Sequence, residues 1–189
     1  MEKRNWKHIV TLKQRMVLCL AAFFAAFALQ LALNGYQARA VQQVQDDQMG
    51  NFNAISRFQG GVESSISILE AYRWENGETE EMLEKLQAAC STSNAWLWRI
   101  RSNMDGLQNV SDEQWVLYGA VETTYGSYNT LLEELESYLS SGQEAKASQL
   151  YYNKVSVCGG YLSQYTMQLL KASILDAQTT YTEISELGE

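Results

Sequence analysis

From residue 52 onward, apolar side chains recur at alternating spacings of three and four, broken three times by short polar stretches. That period places one stripe on one face of a helix and predicts helices that bury their stripes against each other. The first stripe is Phe52, Ile55, Phe58, Val62, Ile66, Leu69 and Tyr72, ending at Glu75-Asn76-Gly77, where Asn and Gly supply the left-handed cap. The second opens on Glu78, Glu80 and Glu81, acids that favour a helix N-terminus, and runs Leu83, Leu86, Cys90, Ser93, Leu97, Ile100, Met104, Leu107.

Asp105-Gly106 marks the next turn, and Ser111-Asp112-Glu113-Gln114 has the form of a capping box, Ser111 bonding the amide of residue 114 and Gln114 reaching back. A third stripe follows in Tyr118, Val121, Tyr125, Tyr128, Leu132, Leu135 and Leu139, closed by Ser140-Ser141-Gly142. The fourth is Tyr151, Val155, Cys158, Leu162, Tyr165, Leu169 and Ala172, with Gly159-Gly160 as a soft spot costing about 1 kcal/mol per glycine. Predicted helices are therefore 37–75, 78–105, 112–141 and 143–187. Connections this short make sequential neighbours antiparallel, an up-down-up-down four-helix bundle with coiled-coil-like crossing. The outer two, at roughly 60 and 65 Å, exceed the middle two, at about 40 to 45 Å, and should extend as stalks.

Ahead of the bundle the pattern changes. Met16 to Leu33 reads MVLCLAAFFAAFALQLAL, and no formal charge appears until after Tyr36. Roughly 20 such residues cross a ~30 Å hydrocarbon core. Residues 16–36 are thus expected to form a transmembrane helix that continues into the bundle. An Ala38-Arg39-Ala40 cleavage site would make the segment a secretory signal, but it is longer than a signal core and the helical pattern runs through that site. Cys19 lacks the small residues of a lipobox before it.

Charge adds orientation. Residues 1–15 carry five cations against one carboxylate, whereas the whole chain stands at −8, so the remainder carries −12. The positive-inside rule puts this basic tail in the cytoplasm and residues 37–189 outside the plasma membrane, with Trp6 and Tyr36 as interfacial aromatics. A domain so acidic lacks the Lys/Arg surplus that nucleic acid requires. The complete absence of Pro fits long uninterrupted helices.

For catalysis the residues offer little. The one His is His8, in the basic tail, so no His-based base or metal cluster can form outside, and no P-loop, GxGxxG or Cys-x-x-Cys is present. No catalytic, cofactor or metal site is expected, nor an enzyme. Glu80, Glu81, Glu84, Glu133, Glu134 and Glu136 read as a solvated face. Cys90 and Cys158 would lie at heights differing by only about 5 Å, yet on diagonal helices, while a disulfide needs Cα atoms within ~7 Å. A bridge and two free thiols packed as small hydrophobes both stay open. Trp96, Trp98, Arg99 and Arg101, around Leu97 and Ile100, form either a cationic, aromatic groove for an anionic or aromatic ligand, or core-edge rings and acid-paired arginines. Arg73-Trp74 poses the same choice.

This layout, with stretches such as Phe52-Asn53-Ala54-Ile55-Ser56-Arg57-Phe58, resembles the helical extracytoplasmic sensor region of bacterial sensor histidine kinases of the YesM-like kind, and secondarily four-helix-bundle chemoreceptors. In those families a second span, a HAMP-type linker and a kinase or signalling domain follow. The resemblance therefore implies a chain ending at Glu186-Leu187-Gly188-Glu189 before its second span. It also implies a membrane-anchored homodimer that relays binding of a small ligand or envelope protein by helix displacement. A single-pass surface scaffold is the competing expectation.

Overall fold

The computed structural model describes residues 12–72, 79–107 and 110–186. These residues are almost wholly helical, and among them there is no strand. The helices are α1 (Leu12–Ala71), α2 (Thr79–Gly106), α3 (Asp112–Ser140), α4 (Glu144–Leu150) and α5 (Ser156–Glu186), with a π-helical turn at Tyr151–Val155 joining the last two. Observed limits of α2 and α3 fall within a residue of those expected. The Glu75-Asn76-Gly77 turn, Trp6, His8 and Arg73-Trp74 lie outside the described residues.

The chain divides into two compact units, Met1–Gln43 and Val44–Glu189. In the first, α1 presents Leu20, Phe23, Phe24, Phe27, Leu29, Leu31 and Leu33 exposed. Its most apolar stretch has a mean hydropathy of 1.6, none of it is buried, and α1 is the one described helix long and apolar enough to cross a membrane.

The second unit is four helical runs packed around one core, the fourth run being α4, the π turn and α5. Ile55, Phe58, Val62 and Leu69 of α1 meet Leu86, Leu97, Ile100 and Met104 of α2, the tyrosines and leucines of α3, and Val155, Leu162 and Leu169 of the fourth run. Every apolar position expected on α3 is buried. On α1 the stripe runs through Asn51 and Ser65 rather than Phe52 and Ile66. Asn51 is fully buried, while Phe52 is 37% exposed. On the fourth run Gly159, Thr166, Ser173 and Thr180 are buried at seven-residue intervals, whereas Cys158 and Tyr165 are only half-buried.

Small inward side chains let the helices approach closely. A Cβ on Gly159 would lie 3.1 Å from Ile66 Cδ1 and 3.3 Å from the Tyr128 ring, and one on Gly61 would collide with Ser93 Oγ. Gly159 is thus a contact point of the core rather than a weak link. Its polar neighbours are affordable because their own helices satisfy them. Thr166 donates to the Leu162 carbonyl, Ser65 to that of Val62, Ser93 to that of Ala89 and Thr180 to that of Asp176. Ser65 Oγ also lies 3.0 Å from Tyr128 Oη.

The π turn has a register cause. Ala147, Tyr151, Val155 and Gly159 are all buried, four residues apart. In an ideal helix each step of four rotates a position by about 40°, so three such steps would carry Gly159 well off the core face. A turn closed by the bond from Ser156 N to Tyr151 O, five residues back, absorbs that drift.

Caps close the ends. Ser111 Oγ accepts from Gln114 N at 3.2 Å, as expected, but the reciprocal bond does not form: Ser111 N donates to Asp176 Oδ2 at 3.0 Å. The Gln114 side chain turns into the core, where its Oε1 is without a partner. At the other end of α3, Gly142 adopts φ +69°, with Gly142 N bonded to Leu139 O and Gln143 N to Tyr138 O, a Schellman motif.

Two outcomes follow for thermal melts read by circular dichroism. Gly159→Leu should destabilise the bundle by about 1–3 kcal/mol through overpacking, while Gly160→Ala, whose Cβ meets nothing within 4 Å, should stabilise it by up to about 1 kcal/mol. Equal shifts at the two glycines would contradict this packing. Gln114→Met, which removes a buried unpartnered carbonyl at similar volume, should raise stability by about 1 kcal/mol; a lowered melting temperature would show that the amide does hold a bond.

Candidate ligand groove between α1 and α2

Side chains two apart on a helix point about 200° from one another, so Trp96 and Trp98 cannot wall one groove. Trp96 is half-buried and packs against the core. Trp98 is 69% exposed, and Arg99 is exposed beside it. Arg101 turns toward α3, its Nη1 lying 3.6 Å from Glu122 Oε1. The four residues therefore do not assemble into one site.

Trp96 instead joins residues far from it in sequence. α1 and α2 leave between them a groove of about 810 Å³, lined by Ser56, Arg57, Gly60, Gly61, Ser64 and Ile68 from α1 and by Lys85, Ala88, Ala89, Thr92 and Trp96 from α2. The opening exists because the facing positions are so small. Gly61 backs onto Ser93, whereas a Cβ on Gly60 would meet nothing within 4 Å. Among the described residues Arg57 and Lys85 are the only charged groups of the lining. Lys85 pairs with Glu81 one turn back on its own helix, and both side chains are more than half exposed. Such exposed pairs contribute little to stability. The signal that would have found this groove in the sequence is Gly60-Gly61 in one stripe opposite Ala88-Ala89 in the next.

A second, smaller cavity of about 250 Å³ lies between α2 and α3, where Cys90, Asn94, Asn129, Glu133 and Glu136 are among its walls. Burial, then the charge of Glu136, pushes the Cys90 thiol up to about 11. The backbone carbonyl of Cys90 accepts from Tyr125 Oη at 2.8 Å. Burial likewise lifts Tyr125, and burial with Glu122 lifts Tyr118, each to about 12; Tyr128 is raised chiefly by burial. Cys158 Sγ lies 3.7 Å from Thr124 O, and burial raises its pKa too. Cys19, Cys90 and Cys158 are all free thiols, so Cys90 and Cys158 each pack beside α3 without a bridge. Among the described residues no group of three His, Cys, Asp or Glu is placed to hold a metal.

No protein-family model, curated protein or solved structure matches this chain.

Because Cys90 holds its proton more tightly when folded, the folded state binds more protons above the thiol's ordinary value of 9.0. Its contribution is complete below pH 9 and lost as pH rises through about 11. Melting temperature should thus hold level to about pH 9 and then fall, with the tyrosines adding to the loss above about pH 10. In Cys90→Ala the first part of that fall should shrink; an unchanged profile would place the alkaline loss elsewhere.

Proposed function

We propose that this chain is the membrane-anchored extracytoplasmic sensor region of a bacterial signal-transduction receptor of the two-component histidine kinase type. One observation carries the reading. α1 runs unbroken for 60 residues, from the apolar segment at its start to the core positions Asn51, Phe58 and Ser65. On this reading a displacement of α1 in the bundle is passed along the same helix to the apolar segment. The basic residues before the span support an N-terminus in the cytoplasm and a bundle outside.

Contact order along the helices supports an up-down-up-down arrangement. Asn51 Nδ2 donates to Ser173 Oγ at 3.2 Å, while Ile66, further along α1, sits beside Gly159, earlier on α5. Gln87 with Glu136 and Arg101 with Glu122 give the same opposed order for α2 and α3. Ser111 with Asp176 and Cys158 with Thr124 give it for α3 and α5. By contrast, Phe58 stacks edge-on against Tyr125 at 5.2 Å and Ser65 meets Tyr128, so α1 and α3 run in the same sense. On this arrangement Asn51 of α1 and Ser173 of α5 lie toward one end of the bundle, where a second span would follow. Sensor regions of this layout act as homodimers, and signalling takes the form of a small piston, tilt or rotation of α5 against α1.

The test replaces Asn51 and Ser173 with Cys in a background without the three native thiols, in the chain joined to a kinase core. Oxidation should cross-link α1 to α5 and hold kinase autophosphorylation at a fixed level whatever the stimulus. A cross-linked receptor that still responds fully would sink the relay.

A further inference from the structure

We propose that the groove between α1 and α2 binds a small, elongated organic anion, a carboxylate with an aromatic or apolar body. As the ligand site of a sensor this rests on the reading above; as a binding site it rests on the groove alone.

Charge is the first argument. The chain stands at −8, and α3 carries six carboxylates with no cation, yet among the described residues no carboxylate lines this groove. Its charges are the guanidinium of Arg57 and the ammonium of Lys85, and no described carboxylate pairs with Arg57. An anion is therefore the ligand that the lining favours and that the rest of the surface repels.

Shape is the second. Arg57 and Ile68 mark the two ends on α1, eleven residues apart, so the groove extends over roughly 16 Å of helix. Trp96 belongs to the Arg57 end and Lys85 to the Ile68 end, because Gly61 of α1 lies against Ser93 of α2 while Tyr72 meets Thr79, contacts in opposed order. Each end thus offers one cation and one apolar or aromatic side chain. The middle, from Gly60 to Ala88, offers backbone and small side chains that a flat ligand body can approach closely. A guanidinium receives a carboxylate in bidentate fashion, and the exposed Lys85 adds a second positive charge at the other end.

The full chain in lipid nanodiscs, with saturation-transfer NMR of terephthalate and biphenyl-4,4′-dicarboxylate, tests the site against their neutral diamides. At least one dicarboxylate should bind, its diamide at least tenfold more weakly. Arg57→Gln and Lys85→Gln should each weaken binding roughly fivefold or more. Gly60→Leu and, from the facing helix, Ala88→Leu should fill the groove and abolish binding at unchanged helicity, while Trp98→Ala, outside it, should bind as the parent does. No binding of either dicarboxylate at about 10 mM, equal binding of the diamides, or parental binding by both groove-filling variants would overturn the assignment. Binding alone is read here, so its failure leaves the relay of α1 and α5 standing, and failure of the cross-link test leaves the groove standing.

Discussion

Close approach of α1 to its two neighbours is the constraint on which the bundle depends. On one side Gly61 leaves no room between α1 and Ser93; on the other Gly159 admits Ile66 and the Tyr128 ring. Both contacts need the missing Cβ, and both lie in the same stretch of α1. Packed interiors have little slack, so these two points settle the height of α2 and α5 relative to α1. Further along, the consequences differ. Gly60, one residue from the tight contact, faces open space, so the same small-residue pair that draws α1 against α2 also leaves the groove beside it.

Close approach also explains why the core is unusually hydroxylic. A helix pair held this near has room for Ser and Thr where a more distant pair would need Leu, and each hydroxyl is satisfied by a carbonyl one turn earlier. Stability then comes from Phe58, Ile100, Leu135, Leu162 and Leu169, while the small residues set distance. This division breaks down near the start of the bundle. There Gln48 Oε1, Asn51 Oδ1 and Gln114 Oε1 are buried without a hydrogen-bond partner. Each such oxygen costs on the order of 1–3 kcal/mol relative to a paired one, so this end is held less firmly than the middle.

What the sequence showed depended on how its apolar residues were placed. On α3 every position of the stripe from Tyr118 to Leu139 is buried, and helix, stripe and the Ser111 cap were legible, though the inward turn of Gln114 was not. On α1 and the fourth run a large residue stands next to the true inward position: Phe52 beside Asn51, Ile66 beside Ser65, Cys158 beside Gly159, Tyr165 beside Thr166. A reading that weighs hydrophobicity selects the neighbour, because nothing local says that helices will come close enough to exclude it. The same ignorance hid the groove. Trp96 stood out by composition, but Arg57 belongs to another helix, and only the Gly61 contact brings the two helices together. Trp98, equally conspicuous in sequence, faces solvent for the elementary reason that it follows Trp96 by two residues.

The tight contact at Gly61 and the unpaired amide oxygens of Asn51 and Gln114 together bear on how a groove ligand would act on the proposed reading. Helices locked by steric contact do not slide at that point, so a ligand wedged between Arg57 and Lys85 can move α1 only as a lever about the Gly61 and Gly159 contacts. A lever transmits most where resistance is least. That place is the layer of Asn51, Ser173 and Gln114, where one hydrogen bond joins α1 to α5 and two amide oxygens stand unpaired. On the same reading, a change of hydrogen-bond partners in this layer accompanies signalling. On the proposed reading, then, the layer that carries the unpaired amide oxygens is the part that serves signalling, and a small push in the groove reaches α5 through the bond from Asn51 to Ser173.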